Sequence, residues 1–564
     1  MNGILSINAG HDASVVYMED GNISWMIEEE RYSHLKHDGD VVLSLYKHGQ
    51  KMDPFSDVLF SYPQCIHLND NVKYNTRMYG TLVQKALKKE GIPIKDYSKD
   101  HHLYHAAIGF YNSGFEEAVC LIVDGAGAYI DDCGNEVETI YKASYPNKFT
   151  KLHQRGIPLT ERLDDHTLDN PTIGMGMVYS GIADYMGFGH LGCGTLMGLA
   201  PFGEENEDIQ SFLDDDGEII NDCWTRSERG VNWTPQHPFV KRPPLFDNIK
   251  NPNAKFKIYC DLAYRLQKDF ETYMISLIKK SVEISGCKNI VLSGGCALNC
   301  VANYEYLKHL PEGCKLYVEP ICYDAGLSVG QAALWWRQKT KSTEIKPLET
   351  LYLGPPQKHV VPDESYDVSL SDVVDILESG EPVAIFQGRS EQGPRALGNR
   401  SLLFDPRIPD ARTIMNKKKG RQPFRPFAAT VLLEHVHDWF DMRGLIDSPY
   451  MMYAVDSLPE VRDIIPGVLH VDQTCRIQTV TEEENENYYN LIQEFYNKTK
   501  VPMLLNTSFN LSSDTICETV EDAVDTLKRS ELNYLYFPEY GKMLHIPDNS
   551  NHGRRGTIYY GVWS

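Results

Sequence analysis

The hydrophobic pattern near the amino terminus follows one plan twice. "ILSINAGHDASVVYMEDGNISWMIEEER" reads as apolar strand, Gly-polar turn, strand, Asp-Gly turn, strand. "AVCLIVDGAGAYIDDCGNEVETIYKASY" reads as apolar strand, Asp-Gly-rich turn, strand, Gly-Asn turn, strand. Short apolar runs broken by tight glycine turns are the pattern of hairpins. The doubling predicts two related halves that face each other across a cleft. Between them, "TLVQKALKKEG" and the stretch "SKDHHLYHAAIGFYNSGF" have helical character, so the predicted class is α/β. Further on, "FKIYCDLAYRLQKDFETYMISLIKKSVEISG" predicts a long helix stopped by Gly286, and "NIVLSGGCALNCVANYEYLK" predicts strand, glycine turn and helix.

A polar, Pro-bearing stretch, "RQKTKSTEIKPLETLYLGPPQKHVVPDES", reads as a joint between domains at 1–345 and 346–564. The second region has its own strands, "EPVAIFQG" and "VPMLLNTSF", and its own helices, "ENYYNLIQEFYNKTK" and "ETVEDAVDTLKRS". Length points the same way, since 564 residues exceed what one core holds.

Composition narrows the class. Apolar residues make up 42% and charged residues 24%, as in ordinary globular chains, and no long apolar run suggests a membrane span. The start lacks the basic and apolar regions of a signal peptide. Thirteen cysteines without CxxC pairs fit reduced thiols, so a cytoplasmic location is expected. A net charge of −23 argues against polymeric nucleic acid as a partner. It leaves room for a local basic pocket that takes small anions.

The candidate chemistry starts with three histidines in five positions. His101 and His105 are four apart and share one face of a helix, a spacing that lets two imidazoles reach one ion. Asp124 at the end of "CLIVDG" and Asp324 in "EPICYDAGLSVG" are acidic groups at loop tips. They are candidate partners, or else a turn former and a helix N-cap; the histidines either bind a metal or simply pack. "VLSGGCALNC" places Gly294 and Gly295 between strand and helix, as an anion cradle or as a tight turn. No GxxxxGKS/T motif exists, so a P-loop is excluded. In the second region Arg389, Arg395 and Arg400 stand among glycines, and "NKKKGRQPFRPFAAT" adds Lys417, Lys418, Lys419, Arg421 and Arg425. Arg476 lies on a strand, and "LLNTSFN" ends in Asn506, Thr507 and Ser508. Arginines beside Gly and Pro on short loops suit bidentate binding of phosphate or carboxylate.

Ten blocks, in order, resemble one family: "NAGHDAS", "EEERYSHLKHDG", "DHHLYHAA", "IVDGAG", "MGLAPFG", "SGGCALN", "DAGLSVG", "GPRALGNRS", "FRPFA" and "LLNTSFN". The family is that of the O-carbamoyltransferases acting on antibiotics and nodulation factors, the tobramycin carbamoyltransferase-like enzymes. The resemblance implies an actin-like N-terminal domain of the threonylcarbamoyl-transferase (ASKHA) kind and a YrdC-like α/β C-terminal domain. It implies that carbamoyl phosphate and ATP give carbamoyl-adenylate in the second domain. The first domain then passes the carbamoyl group to an acceptor hydroxyl. By position it makes His101, His105, Asp124 and Asp324 ligands of a divalent, iron-type metal. It places His11 and Lys36 near the carbamoyl group and the acceptor, His11 as a general base and Lys36 on the carbamoyl oxygen. It assigns Arg395, Lys419, Arg425, Arg476, Asn506 and Ser508 to the ATP (with Mg) and carbamoyl phosphate pocket, with Gly294, Gly295 and Asn299 as further binding residues. Arg425 and Arg476 also count as catalytic through the charge they set against the phosphates.

The chain departs from the family pattern at Thr195, Gln422, Ala429, Gln473 and Thr515. The acceptor is expected to be a small-molecule alcohol, either a sugar or secondary-metabolite hydroxyl or a hydroxymethylated nucleotide. Trp224 and Trp233, in an aromatic and acidic insert, either line its pocket by stacking or pack a surface loop. An N-carbamoyl or threonylcarbamoyl-type transfer to RNA or a nucleotide is the alternative, and a non-catalytic nucleotide-binding module a third. The resemblance makes a homodimer an expectation.

Overall fold

The computed structural model describes residues 3–48, 55–61, 94–96, 99–130, 134–157, 173–220, 224–226, 233–235, 252–512 and 514–547. The stretch "TLVQKALKKEG" lies outside these. So do most of the aromatic insert and the side chains of Trp224 and Trp233; a short antiparallel pair, Trp224–Arg226 with Trp233–Pro235, is described there.

The chain forms two compact units. One holds residues up to Glu29 together with His37–Glu349; the other holds Glu30–Lys36 and the chain from Thr350 onward. The expected boundary at 345 ran through a continuous first domain. Instead, a seven-residue stretch of the amino-terminal half, Glu30–Lys36, packs with the second unit. Its Arg31 is 1% exposed and donates to the Gly393 carbonyl, so the segment is held by the second unit's interior.

The first unit contains the same sheet twice. The first sheet runs, in spatial order, Asn22–Glu28, Ser14–Glu19, Gly3–Asn8, Phe55–Ser61, Ile94–Asp96. Its first three strands are antiparallel and its last two run parallel to Gly3–Asn8. The second sheet runs Lys148–Ile157, Gly134–Ser144, Glu117–Val123, Asn289–Ser293, Lys315–Val318, with the same senses throughout. A small strand, Tyr129–Ile130, adds to the edge of Gly134–Ser144. The doubled hairpin pattern thus belongs to two halves of one topology, the actin-like duplication.

Two helices bring the halves together. His101–Asn112 is buried at ten of its twelve positions, which its alanines, Ile108 and Phe110 allow. Leu327–Thr340 crosses it closely; a Cβ on Gly330 would run into the Tyr104 carbonyl. From the first sheet, Ser14 Oγ donates to the Ala325 carbonyl (2.7 Å) and Asn8 Nδ2 to the Asp324 carbonyl (3.1 Å). The start of the Leu327–Thr340 segment is therefore clamped to the first hairpin. The long helix spans Pro252–Ser285, and Gly286 ends it in the left-handed conformation (φ 67°), donating to Val282.

The second unit is α/β around one mixed sheet of ten strands. Their spatial order is Tyr366–Asp367, Lys542–His545, Tyr534–Phe537, Val383–Phe386, Arg400–Phe404, Met503–Ser508, Ala428–Leu432, Thr474–Val480, Ala454–Ser457, Phe440–Asp441. Val383–Phe386, Arg400–Phe404 and Ala428–Leu432 are buried along their whole length, and the helices Leu370–Glu378 and Glu486–Thr499 pack against each other and against the sheet.

Candidate metal centre and anion pocket

His101 and His105 lie in the first turns of the buried helix, and both rings point to one spot. His101 Nε2 is 3.1 Å from Asp124 Oδ2 and 3.5 Å from Asp324 Oδ1. His105 Nε2 is 3.5 Å from each of the same two oxygens, and 3.2 Å from His101 Nε2. The four donor atoms all fall within 4.8 Å of one another. An ion with ligands at about 2.0–2.2 Å sets neighbouring donors roughly 3–3.6 Å apart, and the His–Asp and His–His separations match that range.

The backbone explains why these carboxyls face inward. Asp124 follows the strand Glu117–Val123, and its Oδ1 accepts from Gly125 N (2.8 Å) and Gly295 N (3.2 Å), which leaves Oδ2 for the histidines. Asp324 is the first residue of the short turn Asp324–Gly326, whose N-cap is Tyr323, and the following helix is capped at Gly326. The N-cap alternative therefore fails for Asp324. Burial opposes charge on Asp124, yet hydrogen bonds from His101 and His105 hold its carboxyl well below the usual range. Burial likewise opposes charge on His105, but Asp124 and Asp324 together raise it to about 9. His102 is turned elsewhere: Nδ1 meets Thr139 Oγ1 at 2.7 Å, and deep burial keeps the ring neutral.

The glycine turn and Asn299 do not form an anion cradle. Gly294 N donates to the Cys322 carbonyl and Gly295 N to Asp124, so both donors are spent. Gly294 has φ 91°, and a Cβ there would strike the Val123 carbonyl. The turn lets Gly295 orient Asp124. Asn299 caps the helix Cys300–His309 by accepting from Ala302 N (3.1 Å) and exchanges amide bonds with Gln267. These three residues serve the fold.

His11 lies on the loop after the first strand. Its Nε2 is 2.8 Å from Asp12 Oδ2, and Asp12 Oδ1 is 2.7 Å from His37 Nδ1. Partial burial opposes charge on His11, but the Asp12 bond and the charges of Asp12, Asp324 and Asp124 raise it to about 9. Neither Asp12 nor His37 was singled out in the sequence, though "GHD" and "KHDG" carry them.

Lys36 belongs to the second unit. Its Nζ donates to the Ser512 carbonyl (2.7 Å), and burial followed by repulsion from Arg425 lowers its pKa. Lys419 ends the helix Ala411–Lys419 and is 2% exposed. It is held by the Ser508 carbonyl and by Asn510 Oδ1 (3.0 Å), neutral oxygens rather than carboxylates. Burial first, then Arg421, Arg425 and Lys36, push its pKa well down. Arg421 meets Asn416 Oδ1 (2.5 Å) and lies over the Phe427 ring; burial, Arg425 and Arg476 disfavour its charge. Five cations thus repel one another in one region, which favours a bound anion.

The other predicted residues divide. Ser508 Oγ bonds Asn510 Oδ1 at 2.6 Å beside Lys419. Asn506 is fully buried, with its amide donating to Thr430 Oγ1 (2.9 Å) and the Ala396 carbonyl (3.2 Å), so it ties the Arg395 loop to the sheet. Arg389 and Arg400 are structural: Arg389 donates to the Gly354 and Leu353 carbonyls, while Arg400 is buried over the Phe386 ring and donates to Gln387 O and Asn399 O.

One unit thus carries the actin-like duplication and a cluster of two His and two Asp, and the other is an α/β unit with a group of cations. The chain matches the family models "Carbamoyltransferase N-terminus" over residues 64–334 and "Carbamoyltransferase C-terminus" over 374–542. It belongs to the carbamoyltransferase family. An uncharacterised Synechocystis protein is 30% identical, with the match covering 96% of both chains. Nodulation protein NolNO of Sinorhizobium fredii is 27% identical over 94% of this chain and 78% of its own. Among solved structures, full-length HypF in the phosphate- and nucleotide-bound form aligns at 12% identity and TM-score 0.35, covering 61% of this chain and 56% of that one. No helix among the described residues is long and apolar enough to cross a membrane.

Proposed function

We propose that the protein is an ATP-dependent O-carbamoyltransferase. The observation that carries this reading is the gathering of Lys36, Lys419, Arg421, Arg425 and Arg476 in a chain of this family. In the second unit water takes the phosphoryl group of carbamoyl phosphate as inorganic phosphate and frees carbamate, whose oxygen attacks the α-phosphorus of Mg-bound ATP. Carbamoyl-adenylate forms and pyrophosphate leaves. The cations take up charge that grows on the phosphorus-bound oxygens during that attack. A pocket that excludes water protects carbamate, which is short-lived in solution.

In the first unit an acceptor hydroxyl attacks the carbamoyl carbon, and AMP leaves. His101, His105, Asp124 and Asp324 would hold a divalent, iron-type ion, which supplies Lewis acidity toward a carbonyl or phosphoryl oxygen. His11 takes the hydroxyl proton. The acceptor is a small-molecule alcohol, either a sugar or secondary-metabolite hydroxyl or a hydroxymethylated nucleotide. The enzyme acts in the cytoplasm, as a homodimer. The test is release of pyrophosphate on mixing protein, ATP and carbamoyl phosphate. Release that needs carbamoyl phosphate supports the reading; turnover of ATP alone, or none, contradicts it.

A further inference from the structure

The His11–Asp12–His37 cluster differs in kind from the quartet near it. In the quartet the four His–Asp distances are 3.1–3.5 Å, the separation of ligands around an ion. In the cluster the two His–Asp distances are 2.8 and 2.7 Å, the length of charge-assisted hydrogen bonds with a proton between the atoms. Asp12 accepts from one imidazole on each oxygen. The rings stack at 5.1 Å between centroids, 26° from parallel.

The arrangement is built by the backbone. Asp12 (φ 54°) and His37 (φ 58°) both sit in the left-handed region, which is uncommon outside glycine. Two backbone bonds lock their loops together: Ala13 N to the Asp38 carbonyl and Gly10 N to the Gly39 carbonyl, each 2.9 Å. Asp12 is 7% exposed, whereas the His11 and His37 side chains are 43% and 40% exposed. Such a conformation is kept where surrounding structure enforces it, and it points to a site.

We propose that Asp12 and His37 are positioning residues for carbamoyl transfer: Asp12, held between the two imidazoles, fixes His11 with Nε2–H on its carboxylate and Nδ1 as the proton-accepting atom. This rests on the carbamoyltransferase reading above. In the step it serves, His11 that has lost its Nδ1 proton, the form that gains as pH rises toward 9, takes the acceptor O–H proton on Nδ1 while the acceptor oxygen bonds to the carbamoyl carbon. The bond from that carbon to the phosphate-bridging oxygen breaks, and AMP leaves with that oxygen and the electron pair. Asp12 stabilises the imidazolium so formed, and His37 holds the far carboxylate oxygen so that Asp12 cannot rotate.

The test compares wild type with Asp12→Asn, which keeps the size and shape of the side chain, and His37→Gln. Acceptors are kanamycin, chitotetraose and hydroxymethyl-deoxycytidine monophosphate. Expected is a fall in the transfer kcat of about 10²–10⁴-fold in Asp12→Asn, the usual worth of a positioned general base, with the acceptor KM, pyrophosphate release and one metal ion per chain unchanged. His37→Gln should lose less. Nitrogen-labelled histidine NMR of zinc-loaded protein should show a downfield His11 Nε2–H proton that Asp12→Asn abolishes. Equal kcat in Asp12→Asn and wild type would overturn the proposal while the carbamoyltransferase reading stands. Two bound ions in wild type, falling to one in Asp12→Asn, would also overturn it by making the cluster a second metal site. No transfer by wild type to any of these acceptors, with no histidine signal that responds to Asp12→Asn, would overturn both.

Discussion

His101 and His105 bring their Nε2 atoms to 3.2 Å of each other inside a helix that is otherwise packed, and both face Asp124. Two imidazoles at that distance cannot both carry a proton toward the other. With Asp124 and Asp324 facing the same two atoms, a cation bound among the four satisfies every donor at once. His101→Ala or Asp124→Asn should therefore abolish metal binding, as read by elemental analysis of purified protein. Carbamoyl transfer should be lost with the metal, while pyrophosphate release stays near wild type. Equal loss of both half-reactions would contradict the division of labour between the units.

Metal binding should be proton-linked. His105 is raised to about 9 without metal, so near neutral pH an ion must displace its proton. Apparent affinity should rise up to tenfold per pH unit between about 6.5 and 9, then level off. The same raised pKa stabilises the metal-free fold below about pH 6.5, and that contribution fades as pH climbs through 9. Calorimetry in buffers of different ionisation enthalpy reads the released proton; an affinity flat across this range would contradict the assignment.

Arg476→Ala, Arg421→Ala and Lys419→Met should each cut pyrophosphate release by about 10²-fold or more, since each would remove a cation from the proposed phosphate pocket. The metal content should not change. Arg400→Ala differs: it removes a buried cation that ties Gln387 and Asn399, so it should lower the melting temperature of the second unit. A stopped assay paired with a thermal melt separates the two kinds of effect.

Gly294→Ala should destabilise the first unit by about 1–3 kcal/mol from its backbone conformation alone, with the Val123 clash in addition. It should also loosen Asp124, which Gly295 N holds. A lower melting temperature together with weaker metal binding is the expected pair. Wild-type stability would show that the turn relaxes freely.

The sequence made the duplicated plan legible because each hairpin carries its period and its turns within about thirty residues. The long helix and its stop at Gly286 were legible for the same local reason. The parallel strands Phe55–Ser61 and Ile94–Asp96 were not named in advance, since their pairing is set by distant partners. Position in the chain also misled: Lys36, thirty-six residues from the start, belongs with the second unit, a long-range fact that no local pattern records. Asn299 and the glycine pair carried the right chemistry for an anion, but their donors and acceptors were already used by the fold. Asp12 was missed because an Asp in a glycine turn is ordinary; only the return of His37 to its other oxygen sets it apart.

The most direct measurement is a mass-spectrometric assay of metal-loaded protein with ATP, carbamoyl phosphate and a panel of aminoglycosides, sugars and hydroxymethylated nucleotides. The account predicts AMP production with a gain of roughly 43 daltons on one alcohol, a carbamoyl group in place of hydrogen. AMP production without any carbamoylated alcohol, or no AMP from folded, metal-loaded protein, would contradict it.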